Sequence, residues 1–135
     1  MKLVLATQNP KKLKEMNEIL SHLGVEVVSE AELGVRIEVE ETGETFTDNA
    51  RLKATAVMQA TGLPAVADDS GLCVDALNGG PGVYSARFGG EGLDDKGRYT
   101  LLLEMLRGQT DRAAHFHTSI VCAFPNGDEL VCEGE

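Results

Sequence analysis

The stretch Pro64–Leu77, PAVADDSGLCVDAL, constrains this chain most, because it sets two adjacent carboxylates, Asp68 and Asp69, and a serine between short β-forming runs. Paired aspartates at the end of a strand hold a hard divalent cation through oxygen, or divide the roles of base and ligand. The same Asp-Asp-Ser-Gly is also good turn sequence, since Asp and Ser bond their own backbone and Gly tolerates positive φ. Alone, the stretch admits both readings, and its neighbours must choose between them.

Upstream, Lys2–Ala6 is an apolar run suited to a buried strand. It stops at Thr7-Gln8-Asn9, and Pro10 then fits the first turn of a helix, where its missing N–H costs nothing. Leu13, Met16, Ile19, Leu20 and Leu23 follow three-and-four spacing and predict a core-facing stripe on a helix that Gly24 ends. The start of such a helix offers unpaired N–H groups and positive dipole to an anion. Lys11 and Lys12 oppose that dipole; a bound phosphate would explain them, and so would plain solvation.

Val25–Val28 reads as a second strand. Four glutamates then fall in the seven residues from Glu38 to Glu44, a run that by itself is a solvated face. Thr45 and Asp48 are spaced as a capping box opening a helix that ends near Gly62. On it Phe46, Ala50, Ala54, Val57 and Met58 predict the core stripe, while Asn49 and Lys53, four apart on another face, can point at a shared site. Leu63–Ala67 and Gly71–Leu77 read as β structure on either side of the aspartates.

Asn78–Gly82 reads as a loop, Val83–Phe88 as one helical turn, and Asp94 or Asp95 as the cap of a helix with a stripe of Tyr99, Leu102, Leu103 and Leu106. His115–Phe124 and Glu129–Glu133 form a hairpin about Pro125–Asp128. A four-residue loop there would pair Phe124 with Glu129 and Cys122 with Val131. His115 and His117 share one side of their strand, but no third ligand lies nearby in sequence, so they read as polar residues on an exposed face.

A length of 135 residues predicts a single domain, residues 1–135, with one core. No apolar run approaches the ~18 residues of a membrane span, and the apolar part of MKLVLATQNPKK is too short for a signal peptide. A cytoplasmic protein with no membrane partner is expected. The 22 acidic and 12 basic side chains give −10, which opposes binding to nucleic acid. Cys73, Cys122 and Cys132 have neither CxxC spacing nor clustered histidines, so buried free thiols are expected rather than a zinc site or disulfides.

LATQNPKK, EETGETFTDNARLKA and LPAVADDSGLCVDALNGGPGVYSARF, in this order, resemble the inosine triphosphate pyrophosphatase family, the house-cleaning purine nucleoside triphosphate diphosphatases. The resemblance runs over essentially all 135 residues. It implies an α/β fold, a twisted mixed sheet flanked by helices, two-lobed with the site in a central cleft, assembled as a homodimer. It implies Mg²⁺-dependent hydrolysis of purine nucleoside triphosphates such as ITP, dITP and XTP to the monophosphate and pyrophosphate. The family's phosphate-binding Thr-Gly-Asn-x-x-Lys falls on Thr7, Gln8, Asn9 and Lys12, with Gln8 where glycine is usual. Its metal-binding glutamate falls on Glu40, beside Glu41, and its helix lysine on Lys53. Asp69 takes the role of catalytic acid–base and magnesium ligand, Ser70 that of a substrate contact, and Asp68 is the acidic neighbour.

Family members continue into a Gly-rich segment with Phe-Gly-Tyr-Asp and a later Ser-His-Arg that recognise the purine, and neither motif occurs in these residues. The resemblance therefore also implies a C-terminally incomplete fold. The competing expectation is a truncated, catalytically weak chain that self-associates.

Overall fold

The computed structural model describes residues 1–7, 9–90 and 92–135. In chain order they form β1 (Lys2–Leu5), α1 (Pro10–Ser21), β2 (Glu26–Ser29), α2 (Phe46–Thr61), β3 (Ala65–Val74), β4 (Gly80–Pro81), α3 (Asp95–Met105), β5 (Ala114–Ala123) and β6 (Glu129–Gly134). Short 3₁₀ turns occupy Ala31–Leu33, Asp75–Leu77 and Gly82–Arg87. Among the described residues the strands make one six-stranded sheet ordered β2-β1-β3-β5-β6, with β4 paired to β3. β1 runs parallel to β2, Leu3 opposite Val27, and parallel to β3, Val4 opposite Ala65. β4 is antiparallel to β3. The architecture is the mixed α/β sheet with helices that the sequence predicts.

The chain divides into two compact units, Met1–Asp69 with Ser119–Glu133, and Ser70–Thr118 with Gly134–Glu135. In the first, the two-residue period of the strands builds two cores. Leu3, Leu5, Val27 and Val66 pack against Leu13, Met16 and Leu20 of α1. Val4, Ala6, Val28, Ala65, Ala67, Val121 and Ala123 pack against Ala50, Ala54 and Val57 of α2. Small residues on α2 bring its axis close to the sheet, which matters for the polar side chains it carries. Thr45 caps α2 by accepting from the Asp48 N–H at 3.0 Å, and Gly62, at φ 71°, ends it.

The α1 stripe is narrower than its spacing predicts: Ile19 is 64% and Leu23 74% exposed. Ile19 lies about a third of a turn round the helix from Leu13, and Leu23 falls beyond the helix end at Ser21.

In the second unit, Asp94 caps α3 by accepting from the Gly97 N–H at 2.7 Å. The expected α3 stripe is only partly covered, Tyr99 and Leu103 each being 53% exposed while Leu106 is buried. Among the described residues, both core clusters are built from residues of the first unit. Ser85 ties the Gly82–Arg87 turn to β3, accepting from the Leu72 N–H at 2.9 Å and donating to the Gly82 carbonyl at 2.6 Å.

Several local expectations are corrected. Asp68–Gly71 is no turn, because β3 runs unbroken through it, and Gly80–Pro81 is a short strand within the expected loop. The last hairpin closes on three loop residues rather than four. Phe124 N–H donates to the Asp128 carbonyl and Gly127 N–H to the Phe124 carbonyl, both at 3.0 Å, with Gly127 at φ 94°. The loop ends on a left-handed residue, a conformation that glycine accepts, and is shorter by one than expected. Counting from there sets Glu133 across from Ser119, and their side chains bond at 3.0 Å. The three thiols are free, but none is fully buried: Cys73 and Cys122 are half-buried and Cys132 is exposed. Burial pushes the Cys73 and Cys122 thiols up from their ordinary value. No helix among the described residues is long and apolar enough to cross a membrane.

Val4 is fully buried at the centre of β1. Truncation to alanine loses about two methylene equivalents at ~0.8 kcal/mol each plus a cavity term, so Val4→Ala is expected to cost about 2 kcal/mol. Urea denaturation checks this; a cost under about 0.5 kcal/mol would show that the first unit does not depend on that contact.

Candidate active site

A strand interior is a poor place for a charge, yet Asp69 is 8% exposed in the middle of β3. Its partner is Asn49, wholly buried on α2, whose Nδ2 donates to Asp69 Oδ2 at 3.2 Å. Asn49 is itself oriented by the Gly43 N–H, which donates to its Oδ1 at 2.7 Å. A side chain at position 43 would place its Cβ 2.6 Å from the Asp48 Cβ and 2.7 Å from the Asn49 Oδ1. The close approach of the Glu-Glu-Thr-Gly segment to α2 thus requires glycine there, and it fixes Asn49 against the aspartate.

Asp68 projects among cations. Lys12, in the first turn of α1, reaches its Oδ2 at 2.7 Å, and Lys53 of α2 donates to its backbone carbonyl at 2.5 Å. Lys53 also pairs with Glu41 at 3.2 Å. Three acidic side chains and two lysines, drawn from α1, the segment before α2, α2 and β3, therefore converge within the first unit. Burial holds the Asp69 carboxyl above its ordinary range; the Asn49 hydrogen bond opposes that, the Glu41 charge adds to it, Lys53 opposes it, and Asp68 adds again.

Of the residues expected from sequence, Lys12, Lys53 and Asp69 join this cluster. Thr7 and Asn9 sit at the start of α1. Asn9 caps the helix by accepting from the Lys11 N–H at 3.0 Å, and Thr7 Oγ1 accepts from the Asn9 N–H at 3.2 Å. Both residues line a cavity of about 410 Å³ with Pro10, Leu13, Ser29 and Glu30. A second cavity, of about 330 Å³, is lined by Thr7, Glu30, Ile37, Glu38 and Lys53, so Thr7 borders both. Gln8 lies outside the described residues. Ser70 belongs to the second unit, where its hydroxyl bonds the Thr118 hydroxyl at 2.9 Å. Glu40 is exposed and lines a separate depression with Thr42, Asp48, Arg51 and Gln59, whereas the neighbouring Glu41 reaches the lysine of the cluster. Asn49, which its four-residue spacing from Lys53 marks as able to face a shared site, is the partner of Asp69, although the resemblance assigns it no role.

The donor set suits a hard divalent cation. The carboxylates of Asp68, Asp69 and Glu41 offer oxygen only, and a bound dication would relieve the mutual repulsion that helps raise Asp69. The lysines and the α1 N-terminus suit a polyanion beside it.

Comparison with known proteins gives a consistent neighbourhood. The profile of the Ham1 family matches residues 3–135. A protein of Exiguobacterium named dITP/XTP pyrophosphatase is 48% identical over 134 residues, covering 99% of this chain and 68% of its own length. One of the same name from Desulforamulus reducens is 53% identical over 136 residues, with 99% and 68% covered. The solved structure of a HAM1 protein from Coxiella burnetii superposes with a TM-score of 0.93 at 43% identity, covering 99% of this chain and 70% of that one. The chain thus spans about two thirds of the length of these proteins.

A carboxyl whose folded pKa is raised binds its proton more tightly folded than unfolded. Ionising it costs the fold stability, a cost absent below the unfolded Asp value of about 3.9 and carried in full once pH has risen through the folded value. Asp69→Asn keeps the shape, and its amide oxygen can accept from Asn49. In metal-free buffer the variant is expected to melt higher than wild type at pH 7, with the gain shrinking towards pH 3. A lower Tm at pH 7 would show that the ionised carboxylate is stabilising where it sits.

Proposed function

This chain belongs to the Ham1 family, and on that premise we propose that it hydrolyses deaminated purine nucleoside triphosphates, dITP, XTP and ITP, to the monophosphate and pyrophosphate with Mg²⁺. The observation that carries the reading is the buried, raised carboxylate of Asp69 set beside Lys12, Lys53 and Glu41. The dITP/XTP pyrophosphatase name of the relatives supports the substrate class.

The residues divide the work by chemistry. Asn49 holds Asp69 through Oδ2, which leaves the second oxygen to take up a water. Burial raises the proton affinity of that carboxylate and so makes the oxygen a better base than an exposed aspartate. The water attacks the α-phosphorus and gives its proton to Asp69. The bond from the α-phosphorus to the bridging oxygen breaks, and pyrophosphate leaves. Lys12 and Lys53 each carry three donors, so both can hold phosphate oxygens beyond their present partners. The N–H groups of the first turn of α1, with Thr7 and Asn9, add neutral donors, and Ser70 is assigned a substrate contact. Magnesium, bound by Asp69 with Glu41 or Glu40, would neutralise part of the triphosphate charge. The reading includes a cytoplasmic location, where the substrate pool lies. It also includes a homodimer, which would cover exposed apolar side chains such as Phe116 and Tyr84.

Pyrophosphate release with Mg²⁺ is expected from dITP in preference to dATP, and in H₂¹⁸O the label is expected in the monophosphate. Label in pyrophosphate would place the attack at the β-phosphorus and overturn the mechanism; equal rates with dATP would overturn the substrate class. Glu41→Gln is expected to raise the Mg²⁺ requirement more than Glu40→Gln, because Glu41 reaches the cluster. The reverse order would return the metal to Glu40.

A further inference from the structure

The three-residue closure of the last hairpin has a second consequence, at the far end of the same strands. The register that sets Glu133 across from Ser119 sets Glu135 across from His117. His115 lies two residues earlier on β5 and so on the same face. One oxygen, Glu135 Oε1, stands 3.9 Å from His115 Nε2 and 3.9 Å from His117 Nδ1. All three ligand atoms lie within 4.8 Å of one another. This supplies the third ligand that the local sequence around the histidines lacks.

We propose that His115, His117 and Glu135 form a binding site for a transition-metal dication of borderline softness, with zinc as the type. Two imidazoles and one carboxylate are a donor set for such ions, and imidazole is a poor ligand for magnesium, which favours oxygen throughout. The Asp69 cluster, all carboxylate, has the opposite preference.

The geometry is close to what an ion needs. Zinc holds nitrogen and oxygen ligands at about 2.0–2.2 Å, which for a tetrahedron puts them roughly 3.3 Å apart. The present separations close to that value by shifts of about 1.5 Å or less between atoms, shared by side chains that are 43%, 21% and 70% exposed. Exposed side chains make such shifts by small torsional changes within a rotamer. A surface His–Glu contact at this distance is worth little by itself, so the ion is what would make the arrangement rigid. Three protein ligands leave positions for water, as in zinc sites that stay open to exchange. The net charge of −10 raises the local concentration of dications.

The test is zinc binding to the intact chain with millimolar Mg²⁺ present, followed by competition with a chromogenic chelator and by the imidazole ¹⁵N signals of the histidines. One equivalent is expected, with shifts at His115 and His117. His117→Gln and Glu135→Gln are each expected to weaken binding by at least the ~10-fold that loss of even an outer-shell partner costs, while Asp69→Asn binds zinc as wild type does. Glu135 is highly exposed, so its variant reports on binding without loss of fold. No saturable binding, or binding unchanged in both Glu135→Gln and the His115→Gln/His117→Gln double variant, would overturn the site.

Discussion

The first unit depends on keeping one carboxylate, that of Asp69, almost out of water at the centre of a strand. A buried charge of this kind survives only with a fixed partner, and Asn49 on α2 is that partner. The demands then propagate outward. Asn49 must be buried and oriented, so Gly43 must approach it closely, so α2 must begin at Thr45 and lie tight on the sheet through Ala50 and Ala54. The small residues of α2, the glycine before it and the alanines preceding the aspartates serve one geometric end.

Electrostatics explains why a chain with 22 acidic and 12 basic side chains spends lysines where it does. Burial keeps Asp69 raised, the charges of Glu41 and Asp68 add to it and Lys53 opposes it, while Lys12 pairs with Asp68. Raised acids in clefts are usual where a proton must move. Holding the Asp69 carboxylate ionised costs the fold stability.

Much of this was legible in the sequence, because periodicity is a strong signal where a layer exists to be packed upon. The α2 stripe follows from it, and cap residues marked the starts of α2 and α3. Stripes misled where cover was missing, as at Tyr99 and Leu103, or where the helix ended early, as at Leu23. Turn statistics alone favoured a turn at Asp68–Gly71, where a ten-residue strand runs through instead. Glu40 and Glu41 lie in an irregular segment whose side-chain directions no periodicity sets, so the resemblance that named Glu40 has no means of showing that Glu41 faces Lys53. The Glu135 contact was invisible for a like reason: it rests on a hairpin register that one loop residue decides.

The central claim is that Asp69 takes the proton from the attacking water. Its most direct test is the rate of pyrophosphate release from dITP by folded Asp69→Asn at saturating Mg²⁺, compared with wild type. Loss of a positioned general base predicts a fall of roughly 10²–10⁴-fold in kcat. A variant that turns over within a few-fold of wild type would contradict the claim and move the base elsewhere in the site.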